Sequence, residues 1–132
     1  MIGAIQTALS GLAAASRKME ATASNIANLD TAGRLDGDPK PYSTLQSVQQ
    51  ALPNGQGVQA NIQPKAQGFV PAYDPDSPFA NAEGMIGVPA TDLAGESVNM
   101  MLAKTAYKAS AAVIRTASEM DDALLKTFDD RA

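Results

Sequence analysis

The sequence predicts a mainly α-helical fold, with N- and C-terminal helices paired as an antiparallel coiled coil and a small β-hairpin in an irregular central segment. Two observations predict the helices: apolar residues recur every three or four positions at both ends of the chain, and the first helix carries few charges. A third observation limits the extent of both helices: all eight prolines lie in the central part of the chain, where they interrupt helical structure. The predicted segments are residues 1–30, 31–91 and 92–132.

The N-terminal segment is predicted to be helical over residues 2–29. Its apolar residues alternate at spacings of three and four, which is the heptad pattern of a coiled-coil seam rather than the broader stripe of a surface helix. The only charges in this stretch are Arg17, Lys18 and Glu20. A helix so poor in charge is expected to have neighbours on several sides. The predicted assembly seam in this helix consists of Ile5, Leu9, Leu12, Met19 and Ile26.

Gly11 interrupts this helix with a residue that costs about 1 kcal/mol relative to Ala. It is either a tolerated defect or a place where another helix approaches closely. Ser10 precedes it and Ala13, Ala14 and Ala15 follow it. These small neighbours favour the close approach.

The central segment cannot be helical for long, because prolines and glycines interrupt it throughout. Residues 57–62 and 68–73 are short, partly alternating and flanked by Gly and Pro. They are predicted to pair as a small hairpin, which needs a surface to rest on because an isolated hairpin is only marginally stable. For residues 42–50 a helical turn and an extended loop remain open.

The C-terminal segment is predicted to be helical over residues 92–129, with Asp92 as its N-cap and Glu96 in its first turn. Acidic residues crowd its C-terminal end, where the helix dipole disfavours them. An antiparallel partner would place these acids near the positive N-terminus of the first helix. The alternative is a frayed, solvated tail after Leu124. The predicted assembly residues of this helix are Leu102, Val113, Met120 and Leu124.

Composition excludes several classes of function. The net charge of −4 and the pI of about 4.6 argue against a nucleic-acid partner. No run of about 18 apolar residues is present to span a membrane, and the first residues lack the basic and apolar regions of a secretory signal. With no Cys and no His, a disulfide framework and a thiolate or imidazole metal site are excluded.

No set of residues predicts an enzyme or a cofactor. Asp74-Pro75-Asp76 lacks the Gly and the bidentate Glu of a Ca²⁺ loop, so an acidic solvent-facing turn is the preferred interpretation. Gly55-Gln56-Gly57 lacks the Lys and the helix start of a phosphate-binding loop. A serine nucleophile would need a base in a defined pocket, and nothing marks one. We expect neither catalytic, cofactor-binding nor metal-binding residues.

The N-terminal residues carry a family resemblance. The motif resembles the N-terminal motif of the bacterial flagellar axial proteins, which comprise rod, hook and hook-associated subunits. It covers about the first quarter of the chain. Its residues are Ser10, Gly11, Leu12, Asn25, Ile26, Ala27, Asn28 and Gly33.

The region before and within the C-terminal helix is similar to one branch of these proteins, the proximal rod subunits of the flagellar basal body. The resemblance reaches back to about residue 57 and is carried by residues 73–89 and the C-terminal helix, where Ser110 replaces a commoner Asn; residues 34–56 match little. Its marker residues are Tyr73, Asp74, Pro75, Gly84 and Tyr107.

The resemblance implies a structural subunit of the proximal rod that assembles helically with copies of itself and other flagellar rod proteins, and that transmits torque from motor to hook. It also implies export through the flagellar type III apparatus without a cleaved signal peptide, and a location in the periplasm-spanning rod of the basal body. Two alternatives remain open: another axial subunit (distal rod or hook-associated), and a membrane-surface amphipathic protein. The second is disfavoured because the first helix lacks a basic face and aromatic anchors.

Overall fold

The computed structural model describes residues 2–129. Two long helices hold about half of the chain, so the mainly α-helical fold with a small β element is confirmed. Residues 1 and 130–132, which the sequence assigns to the terminal segments, lie outside the described residues. The elements in chain order are α1 (Ile2–Ala27), β1 (Leu45–Ala51), a 3-10 turn (Pro53–Gly55), β2 (Val58–Pro64), β3 (Phe69–Tyr73), β4 (Met85–Pro89) and α2 (Leu93–Asp129).

The helices α1 and α2 pack against each other in antiparallel directions. Gly11 faces Ser110, and Asn25 faces Glu96. A step of fourteen residues toward the C-terminus of α1 therefore matches a step of fourteen residues toward the N-terminus of α2. In this register Ile2 lies opposite about residue 119. Residues 120–129 of α2 therefore extend beyond the described part of α1, by roughly 15 Å at about 1.5 Å per residue.

Small side chains form the contact between the two helices. They recur seven residues apart on each helix, which keeps them on one face of each. Alanine lets two helix backbones approach closely, so this face buries well although it offers little apolar area per residue. The buried or half-buried positions in question are Ala8, Ala15 and Thr22 on α1, and Glu96, Ala103, Ser110 and Ala117 on α2.

Most of the predicted heptad residues lie three or four residues from the small-residue positions, which keeps them within about 60° of the same face of each helix. Leu9 and Leu102 are each one residue from a small-residue position and are therefore turned by about 100°. As contacts between subunits these residues remain a prediction. Five are about half exposed (Leu9, Leu102, Val113, Met120 and Leu124), whereas Ile5, Leu12, Met19 and Ile26 are intermediate.

The β element consists of two antiparallel pairs, β1 with β2 and β3 with β4. The predicted hairpin is therefore wrong in its pairing, because residues 57–62 and 68–73 each pair with a different segment. The chain reverses between β1 and β2, where Asn54, Gly55 and Gly57 all have positive φ. This tight reversal pairs β2 with β1, the strand that precedes it in the chain. Residues 45–50 are accordingly extended, which resolves the open choice for most of residues 42–50.

The β1–β2 hairpin rests on α1, which contacts both of its strands. The β3–β4 pair is joined to the segment after α1, because Gly33 and Gly87 exchange backbone hydrogen bonds of 3.0 and 2.9 Å. Across the described residues 2–129, none of the helices has the length and apolar character needed to cross a bilayer.

Candidate functional site

The Asn25 side chain joins three elements of the fold. Its Nδ2 donates hydrogen bonds to the carbonyl oxygen of Leu45 at 2.9 Å and to Oε1 of Glu96 at 3.0 Å. Its Oδ1 accepts a hydrogen bond of 2.8 Å from the backbone N–H of Leu45. One carboxamide thus pairs with the backbone of β1 on both of its polar groups and also reaches α2. It fixes α1, the hairpin and α2 at a single point.

Two further side chains complete this cluster. The Tyr42 hydroxyl oxygen lies 3.1 Å from Oδ1 of Asn25, to which it can donate, and 2.9 Å from the hydroxyl oxygen of Ser24. Lys65 Nζ lies 3.9 Å from Oε1 of Glu96, but 41% of the lysine side chain is exposed. Because water screens a partly exposed ion pair, the hydrogen bonds rather than the charges dominate here.

A second buried cluster surrounds Thr44, which is completely buried. Its backbone N–H and its hydroxyl both donate to the carbonyl oxygen of Gly68 at 2.9 Å, and its Oγ1 lies 2.9 Å from Oγ1 of Thr91. The Lys65 N–H donates to the carbonyl of Thr44 at 2.8 Å. Thr44 therefore links the start of the hairpin to the start of β3 and to the residues just before α2.

The Ser10-Gly11 pair positions the hairpin and the second helix. Ser10 Oγ donates to the carbonyl of Thr7 at 2.7 Å and accepts a hydrogen bond of 3.1 Å from the N–H of Val58. A Cβ on Gly11 would lie 2.9 Å from Oγ of Ser110. The close helix approach predicted at Gly11 is therefore confirmed. Gly57 is equally constrained, because its φ is +101° and a Cβ there would collide with Ser10.

The remaining N-terminal motif residues shape the end of α1. Asn28 Nδ2 donates to the carbonyl of Ser24 at 2.9 Å, and its Oδ1 accepts from the Thr31 hydroxyl at 3.2 Å. This places a polar turn directly after α1. Gly33 is buried against Pro41 and anchors the chain to β4. Leu12 and Ile26 are half-buried, and Ala27 is exposed as the last residue of α1.

The C-terminal motif residues form the loop between β3 and β4. The Asp74 N–H donates to the carbonyl of Gly84 at 2.9 Å, and Gly84 adopts a φ of +75° against Tyr73 and Pro75. Asn81 Oδ1 accepts hydrogen bonds from two backbone N–H groups of this loop. The acidic segment is thus a compact turn. Tyr107 lies apart from it, partly exposed on α2.

The predicted N-cap of α2 is confirmed. Asp92 accepts hydrogen bonds from the N–H of Ala94 at 3.1 Å and of Gly95 at 3.0 Å. These are donors that a helix N-terminus leaves without intrahelical partners. Glu96, predicted only as a first-turn acid, is also the buried partner of Asn25.

Sequence reasoning missed most of the polar clusters. Asn25 was selected by its motif, but Tyr42, Thr44 and Lys65 carried no signal, since each is a single polar residue within a loop or beside a strand. The small-residue face did carry a signal, namely the seven-residue spacing of Ala8, Ala15 and Thr22 and of the matching positions on α2. Within residues 2–129 the acidic side chains do not gather into a group able to hold a metal ion.

These features define a class of protein. Its buried polar groups join helices and strands to one another, and its large apolar side chains lie half exposed along two long helices. This is the arrangement of a structural subunit whose helices meet further helices in an assembly.

Comparisons with known proteins identify the family. Residues 5–33 match the family described as flagella basal body rod protein, and residues 82–127 match the flagellar basal body rod FlgEFG protein C-terminal family. The flagellar basal-body rod protein FlgC of Salmonella typhimurium is 37% identical over 125 residues, which cover 90% of this chain and 89% of that protein. The chain belongs to the family of FlgC flagellar basal-body rod proteins.

Two further FlgC proteins show the same similarity. That of Yersinia enterocolitica is 36% identical over 90% of this chain and 89% of its own length. That of Aquifex aeolicus is 29% identical over 83% of this chain and 84% of its own length. The similarity therefore includes the central segment as well as both helices, which favours FlgC over the axial proteins named in the C-terminal match.

Proposed function

We propose that this chain is a structural subunit of the proximal rod of the bacterial flagellar basal body. It assembles helically with copies of itself and with other flagellar rod proteins, and it transmits torque from the motor to the hook without catalysing a reaction. The observation that carries this proposal is the similarity to FlgC along nine-tenths of the chain.

The helices pair in this proposal as an antiparallel coiled coil. The seven-residue spacing of the small side chains on both helices supports it, because a heptad repeat keeps the contact on one face over several turns. Ser10 and Asn25 hold the hairpin against this pair, so that each subunit can present the same surface to its neighbours. Torque transmission needs such a fixed shape.

The route to the rod is proposed to be the flagellar type III export apparatus, without cleavage of a signal peptide. Membership of a basal-body rod family supports this route. Mass spectrometry of the chain recovered from basal bodies tests it: we expect the intact N-terminus, and a shortened one would contradict the proposal.

Electron microscopy of isolated basal bodies tests the location. A bacterial strain that produces this chain as its only FlgC-family protein should assemble rods and swim, and a strain without it should make no hook. The density of the chain should lie in the part of the rod nearest the inner membrane. Density confined to the distal rod or the hook junction would contradict the proximal assignment.

A further inference from the structure

A long apolar groove lies between α1, the tip of the β1–β2 hairpin and α2. It consists of two adjoining cavities of about 690 and 300 Å³, whose walls share Gly11, Val58 and Ser110. Its α2 wall is the row Leu102, Ala106, Ala109 and Val113. This row covers about three helical turns, so the groove is long enough to receive one helix segment.

The motif residues of α1 build this groove. Gly11 leaves the base of the groove open, because a side chain there would enter the space beside Ser110. Ser10 fixes the hairpin side of the groove by accepting a hydrogen bond from the N–H of Val58. The open space is therefore a product of the packing already described rather than of a poorly filled core.

The same chain carries apolar side chains of the size that this groove lacks. Met120 and Leu124 continue the row of Ala109 and Val113 at helical spacing, in the part of α2 that extends beyond the described start of α1. They are 57% and 48% exposed. A chain with an apolar projection and a matching groove elsewhere on its surface forms a head-to-tail contact, which propagates from copy to copy.

Charge favours the same occupant. The residues that line the groove include no Asp or Glu, and their one charged member is Lys18. The projecting segment is acidic, with Asp121 and Asp122 against Lys126. Acids near a helix C-terminus are locally unfavourable, so proximity to a lysine of a second copy stabilises them.

We propose that the groove binds the projecting end of α2 from a second copy of this chain, with Met120 and Leu124 seated between Val58 and Ala109. The two copies are displaced along the helix direction by about 14 residues, roughly 21 Å, which brings Leu124 level with Ser110 and Asp121 within about one turn of Lys18. This inference rests on the proposed rod function and names one contact by which the copies assemble.

Disulfide crosslinking between two differently labelled chains tests the contact, since the chain has no native cysteine. Cells producing Val58→Cys and Leu124→Cys on separate chains should yield crosslinked dimers in isolated basal bodies, because seated residues lie within about 7 Å between Cα atoms. Leu125→Cys is the matched control, as its side chain points about 100° away on the same turn. We expect at least fivefold less dimer from the Val58→Cys and Leu125→Cys pair.

Two charge substitutions give a second readout. Leu124→Asp should reduce the amount of this chain in basal bodies at least tenfold, whereas Leu125→Asp, at a residue of 64% exposure, should leave it within twofold of the unchanged chain. Circular dichroism of both purified variants should match the parent, since both leucines are largely exposed. Equal incorporation of the two variants would overturn the groove proposal.

The outcomes separate the two proposals. If the chain is present in basal bodies and an amine-reactive reagent links its copies, but no Val58→Cys to Leu124→Cys dimer forms, the groove proposal fails and the rod function stands. A crosslink from Val58→Cys to a different rod protein likewise overturns the second copy as occupant. Absence of the chain from basal bodies overturns the rod function and the groove proposal together.

Discussion

Asn25 of α1 donates a hydrogen bond of 3.0 Å to Glu96 of α2, and both side chains are almost completely buried. The same Asn25 pairs with both backbone groups of Leu45. Around this point the helix contact consists mainly of small apolar residues, which resemble one another from heptad to heptad. A buried polar pair of this kind selects one alignment of two helices, because any slip breaks the hydrogen bond between two buried groups.

Asn25→Ala should therefore destabilise the chain strongly. The substitution leaves Glu96 and the two backbone groups of Leu45 without their partner, at a cost of about 2–4 kcal/mol. Urea unfolding followed by circular dichroism measures it. Asn28→Ala is the matched control and should cost about 1 kcal/mol or less, because Asn28 bonds only within the end of its own helix and turn. Equal losses would mean that the Asn25 cluster does not govern stability.

Glu96 should act through its hydrogen bond more than through its charge. Glu96→Gln keeps an oxygen for Asn25 and loses the ion pair with partly exposed Lys65, so it should cost about 1 kcal/mol or less. Glu96→Ala leaves the Asn25 amide without this acceptor and should cost about 1–3 kcal/mol. Urea unfolding compares the two. Lys65→Met removes only the ion pair. If it lowered the free energy of unfolding as much as Glu96→Ala does, the charge of Glu96 would matter more than its hydrogen bond.

Gly11 should tolerate no side chain larger than that of alanine. Gly3→Ala meets no atom within 4 Å and should raise the free energy of unfolding by up to about 1 kcal/mol through helix propensity. Gly11→Ala should gain less than that because of the contact with Ser110, and Gly11→Leu should cost about 1–3 kcal/mol through overpacking. Thermal unfolding measures all three. Combining Gly11→Ala with Ser110→Ala should restore the gain; failure to do so would place the conflict elsewhere.

Gly57 and Gly55 should respond differently to the same change. Both have positive φ, so alanine costs each about 1–2 kcal/mol in backbone strain. Only at Gly57 does the new Cβ also collide with Ser10, which accepts the hydrogen bond from Val58. Hydrogen exchange of the Val58 amide should therefore accelerate much more in Gly57→Ala than in Gly55→Ala. Similar exchange rates would show that Ser10 does not hold the hairpin.

Leu9→Asp should block assembly while leaving the subunit folded. Leu9 is 51% exposed on α1, so an aspartate disturbs the isolated chain little. It would cost several kcal/mol where a neighbouring subunit buries it. Gln6→Asp places the same charge at a position that is already polar and serves as the control. We expect basal bodies without hooks for Leu9→Asp and normal ones for Gln6→Asp. Normal motility of the Leu9→Asp strain would remove Leu9 from the predicted seam.

The sequence by itself determined the elements of this protein. Helical periodicity defined α1 and α2 to within two residues of their observed bounds, because every turn of each helix repeats the same pattern. Asp92 was identifiable as a cap, since its side chain bonds to backbone only two and three residues away. Gly11 was identifiable as a close approach because its neighbours are also small. All of these are local interactions.

Only the tertiary structure decided which faces and strands meet. Small and larger apolar residues interleave at three- and four-residue spacing on both helices, so periodicity alone does not say which of them meet within one chain. In the structure the small residues form the closest contact between the helices, where Gly11 permits close approach and Asn25 fixes the alignment. Asn25 and Glu96 are 71 residues apart in sequence, so no local pattern could pair them. Leu9, Leu102, Val113, Met120 and Leu124 stay about half exposed, and their burial by neighbouring subunits remains a prediction because a single chain cannot show it.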